Sequence, residues 1–256
     1  MAVKIRLAQS AEEVRMAQRL RHDVFITESP SNSKNGPGFD ADKYDAHCAH
    51  LLVIDPDDAQ TSLYPLADGA LVATTRLIGQ SEAQALGGFY SASEFDLAEL
   101  LKRKSDLKFL ELGRTCILKS ARGSAVMELL WQGIWDFVRR HSFDVMIGCA
   151  SFEGVDPALH YEALRFLAQH AKAPEDWHVN AHPEMRVLLP QVGEFTSDPK
   201  RILARLPPLI KGYLRLGCYI GDGCVVDRAF NTVDVLIILP VKAINPRYFA
   251  RFGAPA

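Results

Sequence analysis

Apolar and polar residues alternate from Val3 to Leu7, which predicts a first strand. Ser10, Ala11, Glu12 and Glu13 then carry a capping-box signature, with Ser10 at the N-cap and Glu13 reaching back. Val14, Ala17, Leu20 and Val24 recur at helical spacing, so a helix is expected to about Phe25. From Ser29 to His47 the pattern breaks. Ser-Pro-Ser-Asn-Ser-Lys-Asn-Gly-Pro-Gly is turn chemistry, and it ends in the acidic cluster Asp40, Asp42 and Asp45 beside Tyr44. A loop of this length inside a domain is usually functional or disordered.

Strands are predicted at Leu51 to Ile54 and Ala70 to Ile78, and a short helix at Glu94 to Leu101. Lys108 to Leu118 reads as a strand, and Ser124 to Arg140 as a long helix. Its residues Val126, Leu129, Leu130, Gly133, Ile134 and Phe137 share one broad face. Phe143 to Cys149 is expected to be a buried strand. Asp156-Pro157 starts another helix, with Asp at the N-cap and Pro at the first helical position. Pro207 to Gly217 reads as a short helix and Val233 to Pro240 as a strand. No repeat and no linker divides the 256 residues, so one α/β domain over 1–256 is expected, elaborated at its C-terminal end.

Composition narrows the class. Hydrophobic residues make up 48% and charged residues 23%, which excludes a mainly disordered chain. A formal charge of -2 gives no global attraction to nucleic acid, so no nucleic-acid partner is expected. Apolar runs such as Val235 to Leu239 are far shorter than the ~20 residues of a membrane span. Met1 to Ser10 has no apolar signal-type run, and the five cysteines are odd in number and scattered. A cytoplasmic chain with reduced thiols is expected.

The densest chemistry lies at Glu111-Leu112-Gly113-Arg114-Thr115-Cys116 and, beyond it, Lys119-Ser120-Ala121-Arg122-Gly123-Ser124. A strand enters an Arg/Gly/Ser turn and a helix begins. Free N–H groups at that helix start favour an anion such as a phosphate, so Arg122, Gly123 and Ser124 are candidates for binding an acyl donor. Gly113 inside the strand marks a candidate bulge, where an extended thioester arm could reach backbone. An ordinary strand–turn–helix with a surface Arg is the plainer reading.

The order of elements resembles the GNAT-type acyltransferase fold, a mixed central sheet flanked by helices. Arg21, Phe25, the stretch Phe39 to Asp45, Arg76 and Glu111-Leu112-Gly113-Arg114 are similar to the acyl-homoserine-lactone synthase signature. Longer matches lie elsewhere: Glu111 to Cys116, Leu130-Trp131-Gln132-Gly133-Ile134, Ile147 to Phe152, Leu206 to Tyr213 and Gly221 to Asp227. These resemble the bacterial ornithine N-acyltransferases of ornithine-lipid synthesis, over about Arg19 to Pro240. The loop from Ser29 to Pro37 lacks the Trp that lactone synthases carry after the Phe, which counts against that reading.

The resemblance implies transfer of a 3-hydroxyacyl chain from acyl carrier protein to the α-amine of L-ornithine, giving lyso-ornithine lipid. The donor is the thioester on the carrier's 4'-phosphopantetheine, and no further cofactor or metal is needed. The amine must be neutral to attack, so a carboxylate or a base-linked water takes its proton. Glu111 is the candidate acceptor of that proton; the alternative is a structural carboxylate paired with Arg114 or Arg21. Asp42 and Asp45 could bind the acceptor's cationic groups, or order the N-terminal helix through Arg21. Arg76 and Arg114 could fork the acceptor's carboxylate, with Arg114 beside the reacting groups, or belong to an internal ion-pair network. A lactone synthase, an acyltransferase for another amino acid such as glycine, and a non-catalytic protein that docks carrier or membrane are the rival readings.

His47-Cys48-Ala49-His50 offers three metal-type ligands, but in a strand its two histidines point to opposite faces, and no second cluster matches it. Cys149 is expected to be a small buried residue. Lys200, Arg201, Arg205, Lys211 and Arg215 stand among leucines with no acid between them. This stretch fits peripheral contact with an anionic membrane, an acidic carrier protein or a solvated helix.

Overall fold

The computed structural model describes residues 2–28, 38–57, 63–187 and 198–248. Along the chain run β1 (Lys4–Leu7), α1 (Ala11–His22), β2 (Ala49–Asp55), β3 (Pro65–Leu66), β4 (Gly69–Gly79), α2 (Gln80–Ala85), α3 (Ala98–Arg103) and β5 (Phe109–Ile117). There follow α4 (Ser124–His141), β6 (Val145–Glu153), α5 (Tyr161–His170), β7 (Arg186–Val187), α6 (Pro199–Arg205), α7 (Pro208–Leu216), β8 (Tyr219–Ile220), β9 (Cys224–Asp227) and β10 (Thr232–Pro240). They form two compact units, one drawing on residues 1–88 and 110–142 and the other on 89–109 and 143–255.

In the first unit the strands pair antiparallel in the order β1-β2-β4-β5, with β3 also on β4. The two-residue period of a strand sorts its side chains to two faces. Leu52, Ile54, Leu71 and Cys116 pack with Ala17 and Leu20 of α1. Val53, Val72, Ala73 and Ile117 pack with Leu130 and Val126 of α4. Gly133 brings α4 close to the sheet, because a Cβ there would collide with Ile5 Cδ1. The cap of α1 is half as expected. Ser10 accepts from Glu13 N–H, but the Glu13 carboxylate receives Gln9 N–H and both Nη atoms of Arg6. The helix also ends earlier than its apolar spacing suggests: after His22 the chain widens into a π-type turn at Asp23–Thr27.

The second unit pairs β6-β10-β9-β7 antiparallel, with β8 on β10 and two single parallel bridges, Lys172–Ile220 and Asn180–Asp222. Leu164, Phe166 and Leu167 of α5 and Ile210 and Tyr213 of α7 are buried. The expected helix from Glu94 to Leu101 is absent as such. A 3-10 turn fills Tyr90–Ser93, and α3 begins only at Ala98, whose N–H is received by Asp96. The intervening backbone is held instead by residues 180 and 181, through Asp96 N–H to Asn180 O and the bridge Phe95–Ala181. Asp227 turns the chain from β9 to β10 by accepting from Ala229 and Phe230 N–H, and Asp222 pairs with Arg186 at 3.0 Å. Among the described residues, no helix is long and apolar enough to cross a membrane.

Candidate active site

The expected bulge is present, one residue beyond the glycine that suggests it. Thr74 faces Cys116 and Arg76 faces Gly113, so Thr75 alone opposes Arg114 and Thr115. The residue that takes the left-handed backbone is Arg114, with φ 53°. A non-glycine residue there costs about 1 kcal/mol. Thr75 and Thr115 hold the distortion with a hydroxyl–hydroxyl bond of 2.7 Å.

The bulge aims Arg114 at the acidic segment that follows residue 38. Arg114 Nε donates to Asp40 Oδ2 at 3.1 Å, and its Nη2 lies 3.5 Å from Asp42 Oδ2. Arg76, on β4, donates to Asp42 Oδ1 at 2.7 Å and stands 3.4 Å from Asp45 Oδ1. Arg21, from the last turn of α1, forks both oxygens of Asp45 at 2.7 and 3.0 Å, and its Nε reaches Asp40 Oδ2 at 2.9 Å. Arg21, Asp40, Arg114, Asp42, Arg76 and Asp45 therefore close a ring of alternating charge, in which each carboxylate bridges two guanidiniums. Three positive and three negative groups sum to zero, which is how charge this dense is tolerated with so little water. The structure thus brings together Arg21, Asp42, Asp45, Arg76 and Arg114, which the sequence offers only as candidates for holding the acceptor, and adds Asp40, which belongs to the same acidic cluster.

The ring is graded in access. Arg21, Asp40, Asp45 and Arg76 are buried, whereas the side chains of Arg114 and Asp42 keep 11% and 24% of their surface. Its open edge is Arg114–Asp42. Backbone N–H groups order the acids: Asp42 N–H donates to Asp45 Oδ2 and Tyr44 N–H to Asp42 Oδ1, both at 2.8 Å. Burial opposes ionisation of Asp45, but the hydrogen bonds of Arg21, the charges of Arg21 and Arg76 and the Asp42 N–H outweigh it and hold the carboxyl at about 2. Burial likewise opposes the charge of Arg76, yet Asp42 and Asp45 raise its pKa on balance.

His50, a residue the sequence marks only as part of a four-residue ligand-rich stretch, supports the ring from β2. Its Nε2 is 2.9 Å from the Asp45 carbonyl, and its buried Nδ1 has no hydrogen-bond partner among the described residues. Bonding to a carbonyl requires Nε2 to carry the proton. Burial lowers the His50 pKa and the Arg21 and Arg76 charges lower it further, against the bond to the Asp45 carbonyl and the Asp45 charge. His47 is exposed, and burial pushes the Cys48 thiol up to about 12.

Glu111 is buried on β5, in register with Ile78. Its charge reaches Tyr44: burial raises the phenol, and the Glu111 and Asp42 carboxylates raise it further. The proposed donor turn is less open than the sequence suggests. Arg122 pairs with Glu28 at 2.5 Å and donates Nε to Ile117 O at 3.2 Å. Gly123 is the N-cap of α4 with extended backbone, and a Cβ there would meet nothing within 4 Å. The Ser124 side chain and the loop of residues 29–37 lie outside the described residues. In the second unit, Cys149 is half-buried rather than simply packed away, and its thiol donates to Glu94 at 3.2 Å. Asp234 completes a group of three whose ligand atoms lie within 4.8 Å of one another.

A helix-flanked antiparallel sheet with a bulge in β5, and a buried carboxylate on that same strand, fit a GNAT-type N-acyltransferase. The family model for the acetyltransferase (GNAT) domain matches residues 20–132. Two solved structures share the fold: an acyl-homoserine lactone synthase, BjaI, with TM-score 0.53 at 12% identity, covering 100% of this chain and 92% of that one, and FeeM, an N-acyl amino acid synthase from uncultured soil microbes, with TM-score 0.51 at 11% identity, covering 94% and 92%. Within that class the chain belongs to the L-ornithine N(alpha)-acyltransferase family. It is 45% identical to the L-ornithine N(alpha)-acyltransferase of Rhizobium meliloti over 99% of its length and 85% of the relative's. It is 42% identical to that of Brucella abortus, over 100% and 90%.

Proposed function

We propose that the enzyme moves an acyl group, 3-hydroxylated and carried as a thioester on acyl carrier protein, to the α-amine of L-ornithine. The acceptor is supported by the names of relatives at 42–45% identity, and the reading leans most on the charge ring with its Arg114–Asp42 edge. At that edge Arg114 receives the acceptor's carboxylate and Asp42 an ammonium group, while Arg21, Asp45 and Arg76 hold the geometry. Glu111 takes a proton from the α-ammonium, and the neutral amine that results attacks the thioester carbonyl. Backbone N–H groups stabilise the tetrahedral oxyanion. Its collapse breaks the carbon–sulfur bond, and the pantetheine thiolate leaves and takes up the second proton that the nitrogen releases. The phosphate of the carrier's arm sits at the start of α4, near Arg122, Gly123 and Ser124. A thioester is already activated for acyl transfer, so the chemistry calls for no cofactor or metal. The enzyme works in the cytoplasm, in peripheral contact with the membrane that takes up its product, and with no nucleic-acid partner.

The test is a competition. Purified enzyme with 3-hydroxyacyl carrier protein is offered ornithine, lysine, glycine and S-adenosylmethionine together, and products are identified by mass spectrometry. N-acylornithine as the dominant product is the expected result; a homoserine lactone or acylglycine in its place overturns the reading.

A further inference from the structure

Between Pro199 and Leu216 the chain holds Lys200, Arg201, Arg205, Lys211 and Arg215 and no acidic residue. Buried Ile202 and Leu206 anchor α6 and its end, and buried Ile210 and Tyr213 anchor α7. Lys211 ties the two helices together by donating to the Ala204 carbonyl at 3.0 Å. The other four cations are exposed, and among the described residues none of their side chains makes an ion pair or a hydrogen bond. That sets them apart from Arg6, Arg21, Arg76, Arg114, Arg122 and Arg186, all of which meet a carboxylate. Leu203 lies between Arg201 and Arg205 and is 41% exposed, so a large apolar side chain stands in water among unpaired positive charges.

We infer that α6 and the last turn of α7 dock the enzyme on an anionic lipid bilayer. Unpaired Lys and Arg near a negatively charged surface are attracted over roughly a Debye length, about 8 Å at physiological salt. An apolar side chain among them gains by entering the headgroup boundary. Leu203, exposed among the cations, suits the headgroup boundary of a bilayer, and the amphiphilic product expected of the enzyme favours a bilayer over an acidic protein. The inference rests on the proposed reading in one respect: an N-acyl amino acid carries an apolar chain that leaves more readily into lipid than into water. With α6 and α7 broken at Pro207 and Pro208, the contact is a short peripheral one.

The experiment is co-sedimentation of the full chain with vesicles, either phosphatidylcholine alone or an equimolar mixture with phosphatidylglycerol, at low and high salt. Wild-type protein, Arg201→Glu/Arg205→Glu, Leu203→Ala and, as a charge control, Lys102→Glu/Lys242→Glu are compared after melting curves confirm the fold. Wild type and the control should pellet with the anionic vesicles at low salt only, and Arg201→Glu/Arg205→Glu should lose about tenfold or more in partitioning. Leu203→Ala should bind more weakly at equal charge. Failure of wild type to pellet, or equal pelleting of wild type and Arg201→Glu/Arg205→Glu, overturns the inference. So does a variant that pellets normally but needs more acyl carrier protein for half-maximal rate, since the surface then docks the carrier. Acylation of ornithine measured without vesicles reports separately on the proposed reaction.

Discussion

Asp45 takes both terminal nitrogens of Arg21, at 2.7 and 3.0 Å, with both side chains almost wholly out of water. This fork joins the last turn of α1 to the acidic segment before β2. It explains why a polar loop ends in a fixed place: one carboxylate meets two guanidiniums and a backbone N–H. Breaking a buried pair by removing one charge costs about 3–5 kcal/mol, because the remaining charge loses its compensation. Asp45→Asn should therefore lower unfolding free energy by that order, read by urea denaturation, whereas a change at exposed Glu12 should move it by less than about 0.5 kcal/mol.

The same cluster sets an acid limit on stability. Asp45 titrates at about 2 when folded against 3.8 as a free side chain. The unfolded chain therefore binds its proton first as pH falls. The stabilisation, about 2 kcal/mol, is complete above pH 3.8 and is lost as pH drops through 2. His50 acts in a higher window. Its folded pKa lies below the free value of 6.5, so below pH 6.5 the unfolded state takes up a proton that the folded state refuses. Stability measured by denaturation should decline from pH 6.5 downward, and His50→Gln, which keeps a donor for the Asp45 carbonyl, should flatten the first part of that decline. An unchanged slope between pH 6.5 and 5 in the variant would show that His50 is not its source.

Much of this fold is legible in the sequence: α1 and α4 each bury a face whose spacing is plain in the chain, while β4 and β10 are strands buried along almost their whole length. The misses are tertiary. Nothing local says that residues 94–97 forgo a helix to bond with residues 180 and 181. Nor does local chemistry show that Glu13 serves Arg6, 7 residues away, instead of the Ser10 backbone. The site shows the same division. Gly113 signals a bulge, but only the register reveals that Arg114 carries the strained backbone. Asp40 and His50 lie in stretches the sequence marks as unusual, yet their roles follow from which strands and helices meet. The Arg122–Glu28 pair joins residues 94 apart and has no local signal.

Glu111→Gln isolates the proton transfer. The amide keeps the shape and cannot accept the proton, so kcat should fall by about 10²–10⁴ while the melting temperature holds. Single-turnover rates compared with thermal melting check this, and a near-normal rate in a folded variant removes Glu111 from the reaction.

The open edge of the ring distinguishes two arginines. Arg114→Lys keeps charge but loses the fork, so the KM for the amino acid should rise about tenfold or more with the fold intact. Arg76→Lys, buried and set between two acids, should lower stability instead. Steady-state kinetics against the amino acid, paired with melting curves, separate the outcomes, and the reverse pattern would place the acceptor at Arg76.

Glu28 competes for the donor turn. If Arg122 serves the carrier's phosphate, its ion pair with Glu28 must open first. Glu28→Gln should then lower the KM for acyl carrier protein a few-fold and Arg122→Ala should raise it, with neither moving the KM for the amino acid. Exposed pairs are weak, so the effect of Glu28 is expected to stay below about 1 kcal/mol.

The most direct measurement of the central claim is the position of the new amide bond. Wild-type enzyme is incubated with 3-hydroxyacyl carrier protein and ornithine, and the product is fragmented by tandem mass spectrometry. The charge ring and Glu111 are expected to deliver the α-nitrogen, giving an α-amide with a free side-chain amine and one equivalent of carrier thiol. Acyl transfer to the side-chain nitrogen, or thiol release without any amide, would contradict the account.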